Sequence, residues 1–218
     1  MRALTILHED DRIVVCMKPP GLLTVKPPRH TSRRGEPTLV DRLRDQGLDL
    51  LPVHRLDQET SGVVLLARDQ AARDALMEIF RSRAVSKTYI AVAQGRLDPA
   101  QGEFDAPIRD LGARAEVHAS GQPALTHYRT LQTFRLATQV EIDLLTGRHN
   151  QIRLHFAHAG HPLVGERKYA RGRDALARHK RAALHASKIS FTPPWGSEPL
   201  TIEAPLPVDL ENLMRKLA

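Results

Sequence analysis

The chain has 218 residues, of which 41% are hydrophobic and 26% are charged, a composition typical of a globular protein with a buried core. No apolar run approaches the roughly 18 residues that a membrane helix needs, and the N-terminus turns acidic too soon for a signal peptide. Cys16 is the only cysteine, which excludes an internal disulfide and a Cys-x-x-Cys metal site. These totals predict one domain, spanning residues 1–218, and a cytoplasmic location.

The net charge of +7 favours a polyanionic partner, most simply a nucleic acid. Charge that serves only solubility is the alternative. Basic residues are concentrated in two loop-rich segments, which favours phosphate contacts. The first cluster contains Lys26, Arg29, Arg33 and Arg34, and the second contains Arg167, Lys168, Arg171, Arg173, Arg178, Lys180 and Arg181. Five Phe, three Tyr and one Trp are too few for a broad base-stacking surface, so a folded nucleic acid fits better.

Alternating apolar residues and turn signals predict the elements of the first half of the chain. Residues 4–7 and 12–18 form paired strands that end before Pro19-Pro20-Gly21. A basic loop covers residues 26–36, and a short helix covers residues 37–46. A strand at 63–67 precedes a helix at 70–83, which Asp69 caps. The apolar stripe of this helix consists of Ala72, Leu76, Ile79 and Phe80.

The second half contains more strands than helices. A strand is predicted at 86–93, short strands and loops at 95–125, and two strands at 126–134 and 137–145. The segment at 151–160 is predicted to be a helix closed by Gly160. Late strands at 184–191 and 199–204 precede a terminal helix at 209–218. The order of elements lacks regular βαβ alternation and predicts an α+β fold with a mixed, mostly antiparallel sheet.

The segment V-H-R-L-D-Q-E-T-S-G, residues 53–62, places an arginine two residues before an aspartate. In an extended segment, side chains at i and i+2 share a face. Arg55 and Asp57 are therefore expected to point the same way, while Val53 and Leu56 pack elsewhere.

The segment T-G-R-H-N-Q-I-R-L-H, residues 146–155, places Arg148 and Arg153 at a predicted strand-to-helix junction. Two arginines there can bind a carboxylate or a phosphate, and the alternative is a solvated helix face. Tyr89 is either a half-buried core residue, which the local pattern favours, or a ring that stacks on a base with a hydroxyl able to take part in proton transfer.

Four histidines, His149, His155, His158 and His161, make a zinc site conceivable. Cysteine or carboxylate partners do not stand at the usual spacing, so contacts with phosphate or local hydrogen bonds are the preferred interpretation. The sequence contains no phosphate loop, dinucleotide fingerprint, nucleophile elbow or H-E-x-x-H motif, so no cofactor and no metal are predicted.

Taken together, H-R-L-D-Q-E-T-S-G, K-T-Y-I-A and T-G-R-H-N-Q-I-R-L-H closely resemble, in order and spacing, the RluA family of RNA pseudouridine synthases. The resemblance covers nearly the whole chain, from V-C-M-K-P-P-G-L-L-T-V through G-Q-P-A-L-T-H-Y-R and H-P-L-V-G-E-R-K-Y to L-H-A-S-K-I-S-F. It implies a stand-alone catalytic domain without the S4 module of some relatives. This chain departs from the family pattern at Asn150, where His is usual, and at Met17, where Asn or Asp is usual.

The resemblance implies isomerisation of uridine to pseudouridine in structured RNA, without a cofactor, on a base that is flipped into a pocket. Asp57 is the expected catalytic carboxylate, acting either by addition to the sugar or by abstraction of a sugar proton. Arg153 is its expected ion-pair partner, which would favour the charged form of the carboxylate. Tyr89 is expected to stack on the uracil and Leu184 to line the base pocket.

The resemblance also implies residues that contact the RNA. Arg55 is expected to fill the space that the flipped base leaves, and Arg148 to contact phosphate or the neighbouring loop. The basic clusters contribute Arg33, Arg34, Arg167 and Lys168. The expected substrates are a tRNA anticodon stem-loop, a hairpin of large-subunit (23S) rRNA, or both, and the expected state is a monomer. A non-catalytic RNA-binding protein and a metal-dependent nuclease or hydrolase are the alternatives.

Overall fold

The computed structural model describes residues 3–26, 36–170 and 179–218, and in them the chain forms twelve strands and four helices. The predicted α+β class is confirmed, since antiparallel strand pairs dominate and the helices lie between them in the chain. The strands are β1 Thr5–Glu9, β2 Ile13–Lys18, β3 Leu51–Pro52, β4 Ser61–Ala67, β5 Ser86–Gln94, β6 Gln101–Asp105, β7 Ile108–Asp110, β8 Ala115–Val117, β9 Leu125–Thr133, β10 Ala137–Leu144, β11 Leu184–Phe191 and β12 Leu200–Glu203. The helices are α1 Leu39–Arg44, α2 Gln70–Arg81, α3 Gln151–His158 and α4 Val208–Leu217.

The chain divides into two compact units, and unit 1 contains Met1–Ser86 and Ala186–Pro205. Its strands follow the order β1-β2-β4-β11, with β3 paired to β4 and β12 paired to β11. Helix α2 is capped at its N-terminus by Asp69, whose Oδ1 accepts the Ala72 N–H at 2.7 Å, and the helix buries Leu76. The core under this helix is made by Ile13, Val15, Val63, Leu65, Ala67, Ala72, Leu76, Val85, Ile189, Phe191, Ile202 and Ala204.

Unit 2 contains Lys87–His185 and Leu206–Ala218. Its strands follow the order β5-β10-β9-β6, and β7 and β8 form a separate two-stranded ribbon. Strand β5 is buried on both faces, because Thr88 and Val92 are as inaccessible as Tyr89, Ala91 and Ala93. Helix α3 follows β10 after a six-residue connection, residues 145–150, and this connection carries Arg148.

Most predicted elements are confirmed, and two predictions were inaccurate. The first helix begins at Leu39 rather than at Pro37, because Thr38 caps it and forms a capping box with Asp41. Strand β3 was not predicted, since two residues ending in Pro52 give no periodic signal. None of the helices in the described ranges has the length and apolar composition needed to cross a bilayer. A single domain over residues 1–218 stays a prediction.

Candidate active site

In unit 1, Asp57 lies in the loop between β3 and β4, and the loop is fixed on both sides of this residue. On one side, Leu56 N donates to Thr24 Oγ1 at 3.1 Å, and Thr24 Oγ1 donates to Leu56 O at 3.1 Å. On the other side, Gly21 N donates to Gln58 O at 2.8 Å, and Gln58 Nε2 donates to Gly21 O at 3.1 Å. The half-buried carboxylate of Asp57 is therefore carried on a backbone that segment 21–24 holds in one conformation.

Lys18 contacts the same loop and is fully buried. Its Nζ donates to Leu22 O at 2.7 Å and to Pro19 O and Gln58 O at 3.1 Å each. Three carbonyl oxygens match the three N–H bonds of an ammonium group. Burying a lysine costs free energy unless its charge is solvated by such partners. Through these bonds, Lys18 connects the turn after β2 with Gln58, the residue after Asp57.

The strand that follows the loop makes a close backbone approach at Gly62. Its φ is +124°, and a Cβ placed there would lie 2.1 Å from Ala186 O. Only glycine fits this position without displacing the neighbouring backbone. The T-S-G sequence thus brings strand β4 against Ala186 within unit 1, five residues after Asp57.

In unit 2, Tyr89 and Leu184 are both buried, with exposed fractions of 7% and 4%. Tyr89 stands opposite Ile142 in the antiparallel pair of β5 and β10. Leu184 is the first residue of β11, and its carbonyl accepts Arg181 Nη1 at 2.8 Å. Their placement in a base pocket stays a prediction.

The start of helix α3 is fixed by the buried side chain of Gln151. Its Oε1 accepts Thr146 Oγ1 at 2.8 Å and Arg148 N at 3.0 Å. Its Nε2 donates to Leu125 O at 3.0 Å and Thr126 Oγ1 at 2.9 Å. These bonds join the connection after β10 to strand β9, and so determine where α3 and its arginine begin.

Arg153, in helix α3, is buried and forms a bidentate ion pair with Glu166. Its Nε lies 2.6 Å from Glu166 Oε2, and its Nη2 lies 2.8 Å from Glu166 Oε1. Only 7% of the arginine side chain and none of the glutamate side chain are exposed. Burial alone would raise the pKa of Glu166, but Arg153 and the N–H groups of Lys168 and Tyr169 outweigh it and hold that pKa below its ordinary value.

Arg148 lies at a polar cleft of about 400 Å³ within unit 2. Its Nε donates to Pro123 O at 3.1 Å, and the neighbouring His149 Nδ1 lies 3.0 Å from Asp110 Oδ1. The hydrogen bond with His149 is the main reason why the pKa of Asp110 is lowered. The cleft is lined by Ile108, Arg109, Asp110, Ser120, Gly121, Gln122, Gly147, Arg148 and His149.

The other predicted RNA contacts differ in their surroundings. Arg55 and Arg167 are exposed, and Lys168 Nζ donates to Ala113 O at 2.7 Å. Arg33 and Arg34 lie outside the described residues. Arg181, which the sequence placed in the second basic cluster, is buried at 6% exposure.

The assignment of Arg181 to an exposed phosphate-binding cluster is therefore wrong. Its Nε lies 2.7 Å from Asp209 Oδ2 and its Nη2 lies 3.2 Å from Asp209 Oδ1. The positive charge of Arg181 is thus paired with Asp209 within unit 2, where it connects the segment before β11 with the first turn of α4. The sequence offered no sign of this pair, because 28 positions separate its partners.

Three of the four clustered histidines have separate hydrogen-bond partners. His149 binds Asp110, His155 lies between Thr126 Oγ1 and Ala106 O, and His161 Nδ1 lies 3.0 Å from Gln94 O. Burial is the main cause that lowers the pKa of His155. Within residues 3–26, 36–170 and 179–218, no three His, Cys, Asp or Glu side chains are grouped as metal ligands.

The positions of Lys18, Thr24, Gln151 and Glu166 show which side chains the sequence analysis left without a role. Each lies within a segment that resembles the family. The sequence features that could have drawn attention to them were a lysine at a strand end before Pro-Pro-Gly and a glutamate thirteen residues after Arg153. Only the three-dimensional contacts identify these residues as supports of the Asp57 loop and of Arg153.

The comparisons with known proteins agree with these features. The family model for RNA pseudouridylate synthase matches residues 12–158. Ribosomal large subunit pseudouridine synthase D of Xanthomonas campestris pv. campestris is 40% identical over 237 aligned positions, which include 98% of this chain and 69% of that protein. The uncharacterized RNA pseudouridine synthase YhcT of Bacillus subtilis is 35% identical, with 97% of this chain and 72% of that protein covered.

A solved structure shares the fold as well. Human RNA Pseudouridylate Synthase Domain Containing 4 superposes with a TM-score of 0.81 at 27% identity, and the match covers 98% of this chain and 92% of that one. Family model, relatives and fold confirm the resemblance that the motifs predict. The chain belongs to the RNA pseudouridylate synthase family, enzymes that isomerise uridine within RNA.

Proposed function

We propose that Asp57 is the catalytic carboxylate of this synthase. The observation that carries the proposal is the loop around Asp57, which Thr24 holds at Leu56 and which Lys18 and Gly21 hold at Gln58. A reacting carboxylate has to be held within about 0.5 Å of its productive position, and a hydrogen-bonded backbone favours that precision. Arg55, two residues earlier and exposed, is available to enter the space that the flipped uridine leaves.

The reaction breaks the bond between C1′ and uracil N1 and forms a bond between C1′ and C5. The C5 proton is lost and N1 gains a proton, so the atoms balance and no oxidant is needed. Asp57 acts on the sugar, either by adding to C1′ or by removing a sugar proton on the way to a glycal. Tyr89 stacks on the detached uracil and assists loss of the C5 proton, Leu184 lines the base pocket, and Arg153 keeps the carboxylate charged.

The proposed substrate is a uridine in a hairpin of large-subunit (23S) rRNA, in a tRNA anticodon stem-loop, or in both. The printed name of the Xanthomonas relative refers to the large ribosomal subunit and supports the first of these. Arg148, Arg167, Lys168, Arg33 and Arg34 are proposed to contact the RNA backbone. The polar cleft at Arg148 and the exposure of Arg167 support the first two of these contacts. The protein is proposed to act as a monomer, which size-exclusion chromatography with light scattering tests.

Tritium release tests the reaction and its substrate. Protein-free rRNA and total tRNA, each labelled with tritium at C5 of uridine, are incubated with the wild-type protein and with heat-denatured protein. Release from one RNA names the substrate class, and release from both indicates dual specificity. If the folded protein binds both RNAs and releases tritium from neither, the proposed substrates are wrong.

The role of Arg153 has its own test. Arg153→Ala is expected to lower the single-turnover rate nearly as much as loss of the carboxylate, while RNA is still bound. Arg148→Ala is the comparison, since it is expected to weaken RNA binding more than it slows the bound reaction. Near-normal turnover of Arg153→Ala would transfer the ion-pair role to Arg148.

A further inference from the structure

Arg153 is the centre of a network of buried and half-buried side chains in unit 2, none of which the proposed reaction uses as a reacting group. Glu166 accepts both Nε and Nη2 of the guanidinium, at 2.6 and 2.8 Å. Glu166 Oε1 also accepts the backbone N–H of Lys168 at 2.7 Å and that of Tyr169 at 3.1 Å. A carboxylate with four donors is held in place, and it fixes the plane of the guanidinium that it pairs with.

Asn150 approaches the same guanidinium from the start of helix α3. Its backbone has φ +54° and ψ +28°, the left-handed conformation that asparagine tolerates better than most residues. In this conformation its amide does not cap the helix. Its Oδ1 lies 3.4 Å from Arg153 Nη1, and its Nδ2 donates to the Tyr169 hydroxyl at 2.8 Å.

Tyr169 contacts the other three residues of the network. Its ring centroid lies 5.7 Å from Arg153 Cζ, within the distance of a cation–π contact. Its hydroxyl binds Asn150 and its backbone N–H binds Glu166, so one residue contacts the arginine and both groups beside it. Four side chains from two segments, 150–153 and 166–169, are therefore joined into one unit.

We propose that Glu166, Asn150 and Tyr169 are positioning residues, which orient the Arg153 guanidinium for its work on the catalytic carboxylate. Glu166 sets the direction of the guanidinium through Nε and Nη2, and Asn150 sets it through Nη1. Tyr169 holds the asparagine amide and supports one face of the arginine. The inference rests on the proposed role of Arg153. It gives Asn150, one of the two residues that depart from the family pattern, a function in this chain through its bond with Tyr169.

The opposing explanation is that the network only stabilises the fold. Three variants separate the two: Tyr169→Phe, which keeps the ring and the backbone N–H; Asn150→Gly, which keeps the left-handed backbone accessible; and Glu166→Gln, which keeps the size of the side chain. Tyr128→Phe is the control, because Tyr128 is a buried tyrosine of unit 2 outside the network, and its hydroxyl donates to Pro99 O at 3.2 Å.

The measurement is the single-turnover rate of tritium release with saturating protein, alongside the RNA dissociation constant and the melting temperature. Tyr169→Phe and Asn150→Gly are each expected to slow the bound reaction about tenfold, because a misplaced reacting group costs up to about a hundredfold. RNA affinity is expected to stay within about twofold and Tyr128→Phe to react at the wild-type rate. Since both substitutions remove the same hydrogen bond, the double variant is expected to be about as slow as the slower single variant.

The outcomes distinguish this inference from the proposal beneath it. If Arg153→Ala is inactive while Tyr169→Phe, Asn150→Gly and Glu166→Gln react at the wild-type rate, positioning is refuted and the role of Arg153 stands. If Arg153→Ala is itself fully active, both fall. If the rate falls only in variants whose melting temperature and RNA affinity fall with it, Tyr128→Phe included, the network is structural and the inference is overturned. Should Glu166→Gln fail to fold, the other two variants still decide the question.

Discussion

Replacing Gly62 with alanine tests the idea that the T-S-G sequence provides a close backbone approach beside the Asp57 loop. The new Cβ would lie 2.1 Å from Ala186 O and 2.7 Å from its carbonyl carbon and nitrogen, so the backbone of β4 or β11 has to move. The backbone strain of a residue at φ +124° costs about 1–3 kcal/mol. Each strand hydrogen bond that lengthens costs about 1 kcal/mol more. The expected loss is about 4 kcal/mol, a large fraction of the roughly 5–15 kcal/mol that stabilises a domain.

Urea unfolding followed by circular dichroism measures this loss. Gly47→Ala is the matched control, because Gly47 also has a positive φ, +84°, but no atom within 4 Å of the added Cβ. That variant carries the conformational cost alone, about 1–2 kcal/mol. Tritium release from RNA is expected to fall in Gly62→Ala at temperatures where the protein is still folded, since β4 begins at the end of the Asp57 loop. Equal destabilisation of the two variants would refute the close approach at Gly62.

Three further predictions concern charge. Lys18→Met removes the ammonium group that donates to three carbonyl oxygens, of which Gln58 O keeps another donor, the Gly21 N–H, and it is expected to destabilise the protein by about 3 kcal/mol. The exposed Lys216→Met is expected to change stability by less than about 0.5 kcal/mol, and equal values in urea unfolding would contradict the role of Lys18. The lowered pKa of Glu166 means that its ion pair stabilises the native state above the ordinary value of 4.5, and that this stability is lost as the pH falls below 4.5 toward the lowered pKa. Wild-type protein is therefore expected to lose stability more steeply below pH 4.5 than Glu166→Gln, and parallel curves of unfolding free energy against pH would refute this. Replacing Arg33 and Arg34 by glutamine is expected to reduce the salt slope of RNA binding by about 1–2, and an unchanged slope would remove that loop from the interface.

Local patterns were sufficient for most elements but not for the contacts that complete the site. Asp69 before an amphipathic run predicts the start of α2, and Gly160 predicts the end of α3, because caps and left-handed glycines are local features. The importance of the H-R-L-D segment follows from its resemblance to the family. Its restraint by Lys18 and Thr24 is not predicted by the sequence, because the bonds to Leu56 and Gln58 cross 32 and 40 positions of the chain.

Arg153 and Arg181 also show that contacts between distant parts of the chain are not predicted by local patterns. Arg153 was expected to face a carboxylate, and the structure adds Glu166, thirteen residues away, as a partner on its Nε side. Arg181 was assigned to a basic surface because its neighbours in the chain are basic. Its burial against Asp209 depends on how α4 packs within unit 2, which charge patterning along the chain does not reveal.

The most direct test of the central claim is single-turnover tritium release by Asp57→Asn, with enzyme in excess over RNA labelled at C5 of uridine. Asp49→Asn is the matched control, since Asp49 is a highly exposed acid of the same unit, whose Oδ1 accepts Arg44 Nε at 3.1 Å on the surface. We predict that wild type and Asp49→Asn release tritium to completion, and that Asp57→Asn binds the RNA with unchanged affinity and releases none. Release by Asp57→Asn at a rate near that of the wild type would show that another group carries the reaction.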